Sequence, residues 1–143
     1  MPVTIMSGIS GSGKSTWVQD NIKDPVICSA DLFWGPDYKF DITRIKEAHD
    51  WCLDRYMRAL VQCDSKDSNI VVDNTNLRAL EIAPYYRVAE VLGWEVKVVR
   101  LLCDPEVAKK RTTHGVPPDK VEAMAKAMGE LWPDWRVQFV IVT

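Results

Sequence analysis

The sequence predicts an α/β fold with a mainly parallel sheet, and three observations lead there. Short apolar runs alternate with helix-period stretches along the whole chain, the pattern of strands joined by crossover helices. The first apolar run passes through a glycine-rich loop into a helical stretch. No low-complexity segment, repeat or linker interrupts the alternation. The 143 residues are therefore expected to form one domain, 1–143, with a single sizeable core.

The elements follow in order. Val3 to Ser7 reads as a buried strand, and Lys14 to Ile22 as the first helix. Asp24-Pro25 turns the chain into a second strand, Val26 to Ser29. Asp31 to Lys39 contains Gly35-Pro36 and reads as a loop. A long helix is expected from Asp41 to Cys63, with Ile42, Ile45, His49, Cys52, Tyr56 and Leu60 as its inward stripe. Asn69 to Asp73 is a third strand that ends in a carboxylate. A helix from Glu81 to Leu92 stops at Gly93, and Glu95 to Leu102 is a fourth strand. Asp104-Pro105 has the form of a helix start, with aspartate as cap and proline in the first turn. Thr112 to Pro118 reads as a mobile loop. Val121, Met124, Ala125, Met128 and Leu131 mark a short amphipathic helix before a fifth strand, Trp135 to Val142.

Composition narrows the function classes. Net charge is −2 and the pI is about 5.7, so no global basic field favours tight non-specific binding to polyanions. Cys28, Cys52, Cys63 and Cys103 form no C-x-x-C pair and read as reduced thiols of a cytoplasmic protein. The N-terminus runs directly into the first strand, without the form of a signal peptide, and no apolar stretch approaches membrane-spanning length.

Gly8-Ile9-Ser10-Gly11-Ser12-Gly13-Lys14-Ser15 matches the phosphate-binding pattern G-x-x-x-x-G-K-S/T at every fixed position. Its glycines let successive backbone N–H groups converge on an anion, and the helix that follows adds its positive end. Gly8, Ser10, Gly11, Ser12, Gly13, Lys14, Ser15 and Thr16 are the expected nucleotide contacts. Lys14 would reach the β- and γ-phosphates, and the Ser15 hydroxyl would bind Mg²⁺. The bland alternative, a Gly/Ser turn with an exposed lysine, does not explain the strand-loop-helix context.

Three further groups have the chemistry of phosphoryl transfer. Asp31 follows the second strand, where open α/β sheets bind ligands, and could take the proton of an attacking hydroxyl. It could also merely close a turn. Asp73 ends a buried strand, the usual source of a carboxylate near the metal, and Asn74 and Asn76 after it could orient substrate or serve as turn residues. Lys109-Lys110-Arg111 beside a Gly/Pro loop has the form of a cationic lid, or of a solvated helix end. Arg111 is the strongest of these because its fork matches phosphate oxygens.

Arg44, Trp51, Arg55 and Arg58 share a helix face by spacing and could hold an acceptor's phosphodiester, although a solvated face is the commoner outcome. Trp34 and Tyr38 could stack on a base or simply pack. His49 is expected to be a hydrogen-bonded core histidine.

The ordered set Gly11 to Trp17, Ser29-Ala30-Asp31, Asp73-Asn74-Thr75-Asn76, Pro84-Tyr85 and His114-Gly115-Val116-Pro117 resembles the phage-type polynucleotide 5′-kinases and their ATP-binding kinase-like relatives. The resemblance covers nearly the whole chain. It implies a P-loop kinase fold, with a five-stranded sheet in the order 2-3-1-4-5, flanking helices and a small helical lid. It implies transfer of the γ-phosphate of ATP to a 5′-hydroxyl of DNA or RNA. By position, Asp31 matches the general base, Arg111 a lid arginine, and Lys14 and Ser15 the phosphate and metal contacts. The chain departs from the phage enzymes in the acceptor site. An aspartate and an acceptor-binding arginine of those enzymes are replaced by Leu32 and Trp34, and His114 aligns with a further lid arginine. No phosphatase segment follows, so the resemblance implies a kinase alone. The expectation is thus an ATP- and Mg²⁺-dependent kinase of a nucleic acid 5′ end. A kinase of a nucleoside, nucleotide, modified base or other small molecule is the alternative, and a nucleotide-binding switch is a third reading.

Overall fold

The computed structural model describes residues 2–112 and 115–143. Five strands form one sheet: β1 (Val3–Ser7), β2 (Pro25–Cys28), β3 (Asn69–Asp73), β4 (Val96–Cys103) and β5 (Val137–Val142). Its order is β2-β3-β1-β4-β5, as the resemblance implies, and every neighbouring pair is parallel. The helices are α1 (Lys14–Asn21), α2 (Ile45–Gln62), α3 (Ala79–Val91), α4 (Pro105–Lys109) and α5 (Pro118–Ala127).

A parallel sheet must bury both faces, so its central strands are continuous apolar runs with alternate residues serving opposite sides. Val3, Ile5, Ile70, Val72 and Val98 face the layer built from α2 and α3, where Cys52, Tyr56, Leu60, Ile82 and Tyr86 pack. Met6, Val71, Val99 and Leu101 face the other way, onto Val18 of α1. Two polar side chains of the larger core are bonded within it, whereas the buried Trp135 indole N–H has no partner among the described residues. Tyr56 donates its hydroxyl to the Tyr85 carbonyl at 2.7 Å, and the Trp94 indole donates to the Leu60 carbonyl at 3.2 Å. All four cysteines are free thiols, with Cys28 and Cys52 buried.

The structure corrects the reading of the long helix. Residues Ile42–Arg44 form a separate 3₁₀ turn capped by Asp41, and α2 begins at Ile45. The buried stripe runs through Ala48, Cys52, Tyr56, Ala59 and Leu60. Ile42 is 63% exposed, and His49 lies at the surface rather than in the core. Ala48, one residue earlier, takes the buried position in its place. Ala30–Trp34, read as loop, forms a 3₁₀ turn in which the Ser29 hydroxyl accepts from the Asp31 N–H at 3.2 Å.

Helix ends follow their expected chemistry. Gly93 adopts φ 83° just past α3, a conformation that favours glycine. Asp104 caps α4 by accepting from the Glu106 N–H at 2.8 Å. No helix among the described residues is long and apolar enough to cross a membrane.

Candidate active site

The register of the sheet brings the site together. Met6 pairs with Asp73 and Ser7 with Arg100, so the carboxyl ends of β1, β3 and β4 finish at one level beneath the glycine loop. Gly8 donates its N–H to the Thr75 carbonyl at 2.8 Å, which fastens the start of that loop to the segment after β3.

Two glycines of the loop have left-handed φ, 81° at Gly11 and 94° at Gly13. At Gly11 space matters as well: a Cβ there would stand 2.1 Å from the Ala108 carbonyl oxygen of α4. Gly13 occupies the N-cap position of α1, which has no side-chain cap and no acidic residue in its first turn. The N-terminal amides of α1 therefore keep their donors for an anion. The Ser12 hydroxyl is buried without a partner among the described residues. These features suit the phosphate chain of a nucleotide.

Lys14 curls back over the loop and donates to the carbonyls of Gly8 and Ile9, both at 3.0 Å. An ammonium has three N–H donors, so one remains to aim outward. Burial lowers the Lys14 pKa from its ordinary value, and the carboxylates of Asp73 and Asp31 oppose that shift. Ser15 donates its hydroxyl to Asp73 Oδ2 at 2.8 Å. Burial raises the Asp73 carboxyl, while the Ser15 hydrogen bond and the Lys14 charge pull it down. A hydroxyl and a carboxylate in contact are hard oxygen donors of the kind that hold Mg²⁺ together with substrate phosphates.

Two cavities meet at this point. One, of about 700 Å³, runs along Ser10 to Thr16 and is closed by Arg111 and by the apolar side chains of Leu101, Val140 and Val142. The second, of about 670 Å³, lies between the 30–40 segment, the start of α2 and α5. Asp31 lines both. Its Oδ1 accepts a 2.9 Å hydrogen bond from the Tyr38 hydroxyl, and its backbone is held through Ala30, whose N–H donates to Asn74 Oδ1 at 2.9 Å.

The remaining expected site residues divide. Trp34 lines the second cavity and meets the Phe40 ring at 5.1 Å. Asn74 reaches the same wall, with its amide bonded to the Ala30 N–H and to the Cys52 sulfur at 3.6 Å. It thereby positions the Asp31 segment. Asn76 is a correction. It is 4% exposed, and its amide donates to the Met6 carbonyl at 2.8 Å, so it is a joint of the core.

Arg44 and Arg55 line neither of these two cavities. Arg44 forks onto Glu47 at 2.9 and 3.2 Å over the Phe33 ring, and Arg55 stands 5.7 Å from the Trp51 ring. Arg58 pairs with Asp54 at 2.8 Å. Lys109 pins α4 to α5 by pairing with Glu106 at 2.7 Å and Glu122 at 2.9 Å. His114, aligned with a lid arginine, falls outside the described residues.

Arg100 was not foreseen. It is 5% exposed in the middle of β4, and burial lowers its pKa. Nε donates to Ser7 Oγ at 3.0 Å, Nη2 to the Leu77 carbonyl at 2.9 Å, and Nη1 to the Gly129 carbonyl. It thus fastens the segment after α5 to the site floor. A single arginine inside the run Val98-Val99-Arg100-Leu101 was the available signal, because a buried cation needs several acceptors.

Glycine loop and sheet order together define a P-loop kinase-like domain. A model of the AAA domain family matches residues 3–128, and the chain belongs to that family. Human NEDD4-binding protein 2 is 30% identical over 135 residues, 85% of this chain, and the chain spans 7% of that relative's length. The fold is similar to that of Chaetomium thermophilum Kti12 in complex with ADP-AlF3, at TM-score 0.69 and 13% identity over 99% of this chain and 89% of that one. It is also similar to a gluconokinase from Sinorhizobium meliloti 1021, at TM-score 0.64 and 17% identity over 99% and 83% of the two chains. Mycobacterium tuberculosis APS kinase CysC, in complex with AMPPNP and APS, has TM-score 0.60 and 17% identity over 98% and 87%. At these identities the three are likenesses of fold.

Proposed function

We propose that this domain is an ATP- and Mg²⁺-dependent kinase that transfers the γ-phosphate of ATP to the 5′-hydroxyl of a DNA or RNA end. The observation that carries the reading is the position of Asp31, on the boundary between the glycine-loop cavity and a second cavity of similar size. A nucleotide switch needs the first cavity only. A kinase needs both, with a base where they meet.

In this reading the triphosphate lies along Ser10 to Thr16, and Lys14 and Arg111 face the transferring phosphoryl group. Mg²⁺, held by Ser15 and through Asp73, would neutralise charge on the β- and γ-oxygens when bound. The acceptor hydroxyl enters from the second cavity and gives its proton to the Asp31 carboxylate. Its oxygen forms a bond to the γ-phosphorus as the bond to the β-bridging oxygen breaks, and ADP leaves. Trp34 and Phe40 offer aromatic faces to a base beside that hydroxyl. The resemblance in ordered motifs to polynucleotide 5′-kinases favours a nucleic acid end among hydroxyl acceptors.

The test is γ-labelled ATP offered with 5′-hydroxyl DNA and RNA oligonucleotides, nucleosides, nucleotides and sugars. Label on an oligonucleotide 5′ end is the expected result. Label confined to a small molecule, or to inorganic phosphate alone, would overturn the reading.

A further inference from the structure

We infer that the ion pair between Lys109 and Glu122 couples the glycine loop to the α5 wall of the second cavity, so that a nucleotide in the first cavity sets the shape of the second. This rests on the reading of the second cavity as the acceptor site. Lys109 and Glu122 line neither of the two cavities, and both are positioning residues.

α4 lies against the loop. The Ala108 carbonyl closes on Gly11, and Ala108 is buried in one small apolar cluster with Ile9 of the loop, Leu77 and Val121 of α5. Close-packed groups pass a displacement on rather than absorb it. From α4 the link to α5 is ionic. Lys109 Nζ stands 2.9 Å from Glu122 Oε2 on α5, and 2.7 Å from Glu106 Oε1 on its own helix. No other ion pair among the described residues joins α4 to α5. With 23% of its side chain exposed, Lys109 is also the most shielded partner of any ion pair among those residues.

The geometry of α5 turns that link into a change at the cavity. Successive helical residues rotate by about 100°, so residues two positions either side of Glu122 stand on the other side of the helix. Those residues are Lys120 and Met124, and both line the second cavity. Val121 is the one buried residue of α5, and apolar contact has no direction. Val121 holds the helix down, and the ion pair fixes its turn about its own axis. Beyond the helix the chain is anchored: Gly129 donates its N–H to the Leu77 carbonyl at 2.9 Å, and its carbonyl accepts from Arg100 Nη1. α5 is therefore held fast past its C-terminal end and steered from Glu122. A partly exposed ion pair adds little to stability. Here it selects one arrangement of two packed helices.

The variants are Lys109→Met and Glu122→Ala. Glu106→Ala is the control, since it removes an ion pair of similar length inside α4 and spares the link to α5. Amide exchange in α5 is followed with and without ADP and Mg²⁺. No residue of α5 lines the nucleotide cavity, so slower exchange there on adding nucleotide reads transmission. Wild type and Glu106→Ala should show the slowing. Lys109→Met and Glu122→Ala should lose it, with ADP affinity and melting temperature close to wild type. In transfer from ATP to a 5′-hydroxyl oligothymidylate, these two variants should raise the acceptor KM at least about fivefold and leave the KM of ATP unmoved. The double variant should be no worse than either single one, because both remove the same link. The coupling is overturned if ADP does not slow exchange in wild-type α5, if either variant keeps the slowing, or if Glu106→Ala loses it equally. An unchanged acceptor KM in both variants overturns it too. The exchange measurement needs no acceptor. If no hydroxyl is phosphorylated, the kinase reading fails, and a response of α5 that both variants lose still supports the link from loop to helix.

Discussion

The phenolic hydroxyl of Tyr38 donates a 2.9 Å hydrogen bond to Oδ1 of Asp31. Burial, and then that bond, push the Tyr38 phenol above its ordinary range, so it remains a donor at working pH. Tyr38 holds this place with φ 45°, a left-handed conformation in a residue with a bulky side chain. One carboxylate oxygen is thereby held in place on the boundary between the two cavities. Asp31→Asn should leave ATP binding nearly intact and cut transfer by about 10²–10⁴-fold, the range of general acid–base catalysis. Tyr38→Phe should lower kcat by roughly tenfold, about one charge-assisted hydrogen bond, with the KM for ATP unmoved. Steady-state transfer beside equilibrium ATP binding reads both. Wild-type transfer by a folded Asp31→Asn protein would remove the base from the mechanism.

Lys14 is held by the Gly8 and Ile9 carbonyls with one N–H to spare. Its charge matters most when charge develops on the transferring group, so Lys14→Ala should reduce turnover by at least about a hundredfold. A thermal melt confirms the fold of the variant. Near-normal turnover would place the lysine outside the chemistry.

Arg111 lines the nucleotide cavity from the end of α4. Its fork pairs two phosphate oxygens at once, which an ammonium cannot do. Arg111→Lys should therefore lose most of its turnover, with a modest change in ATP affinity. Single-turnover transfer at saturating ATP distinguishes this from a binding defect, and full activity would assign Arg111 to a solvated helix end.

Arg100 predicts a stability effect. Replacing it with leucine removes three hydrogen bonds and takes this donor from the Gly129 carbonyl, while the Leu77 carbonyl keeps the Gly129 N–H at 2.9 Å. The expected loss is about 3 kcal/mol, within the range for a broken buried network. For a chain of this size that is a fall in Tm of roughly 10 °C. The same variant should loosen the segment after α5, read as faster amide exchange near Gly129. A melt unchanged within a degree or two would show that the guanidinium contributes little net stability.

The strands and the nucleotide loop were legible because their signals are local. A buried parallel strand is a continuous apolar run, as at Ile70-Val71-Val72, and the glycine loop has fixed spacing. The carboxylate that ends β3 was legible for the same reason. The phase of α2 was not. His49 and Ala48 are neighbours in sequence, and which of them faces the sheet depends on how closely the helix approaches it. Nor could helix spacing show that Arg44 and Arg58 are committed to Glu47 and Asp54. Asn76 was misread because an asparagine after a strand looks the same whether it turns toward substrate or, as here, toward the Met6 carbonyl. Tyr38 contacts Asp31 through a left-handed bend that no pattern in the sequence announces.

The close approach of Gly11 to Ala108 has a consequence for how the domain can vary. The Ala108 carbonyl that leaves no room for a side chain at Gly11 also accepts the Arg111 N–H at 2.9 Å. Cradle and arginine therefore share one mechanical reference point. A methyl group at residue 11 would displace α4, and the cation would move with it. A change at residue 11 would therefore be felt at residue 111 without any contact between the two side chains.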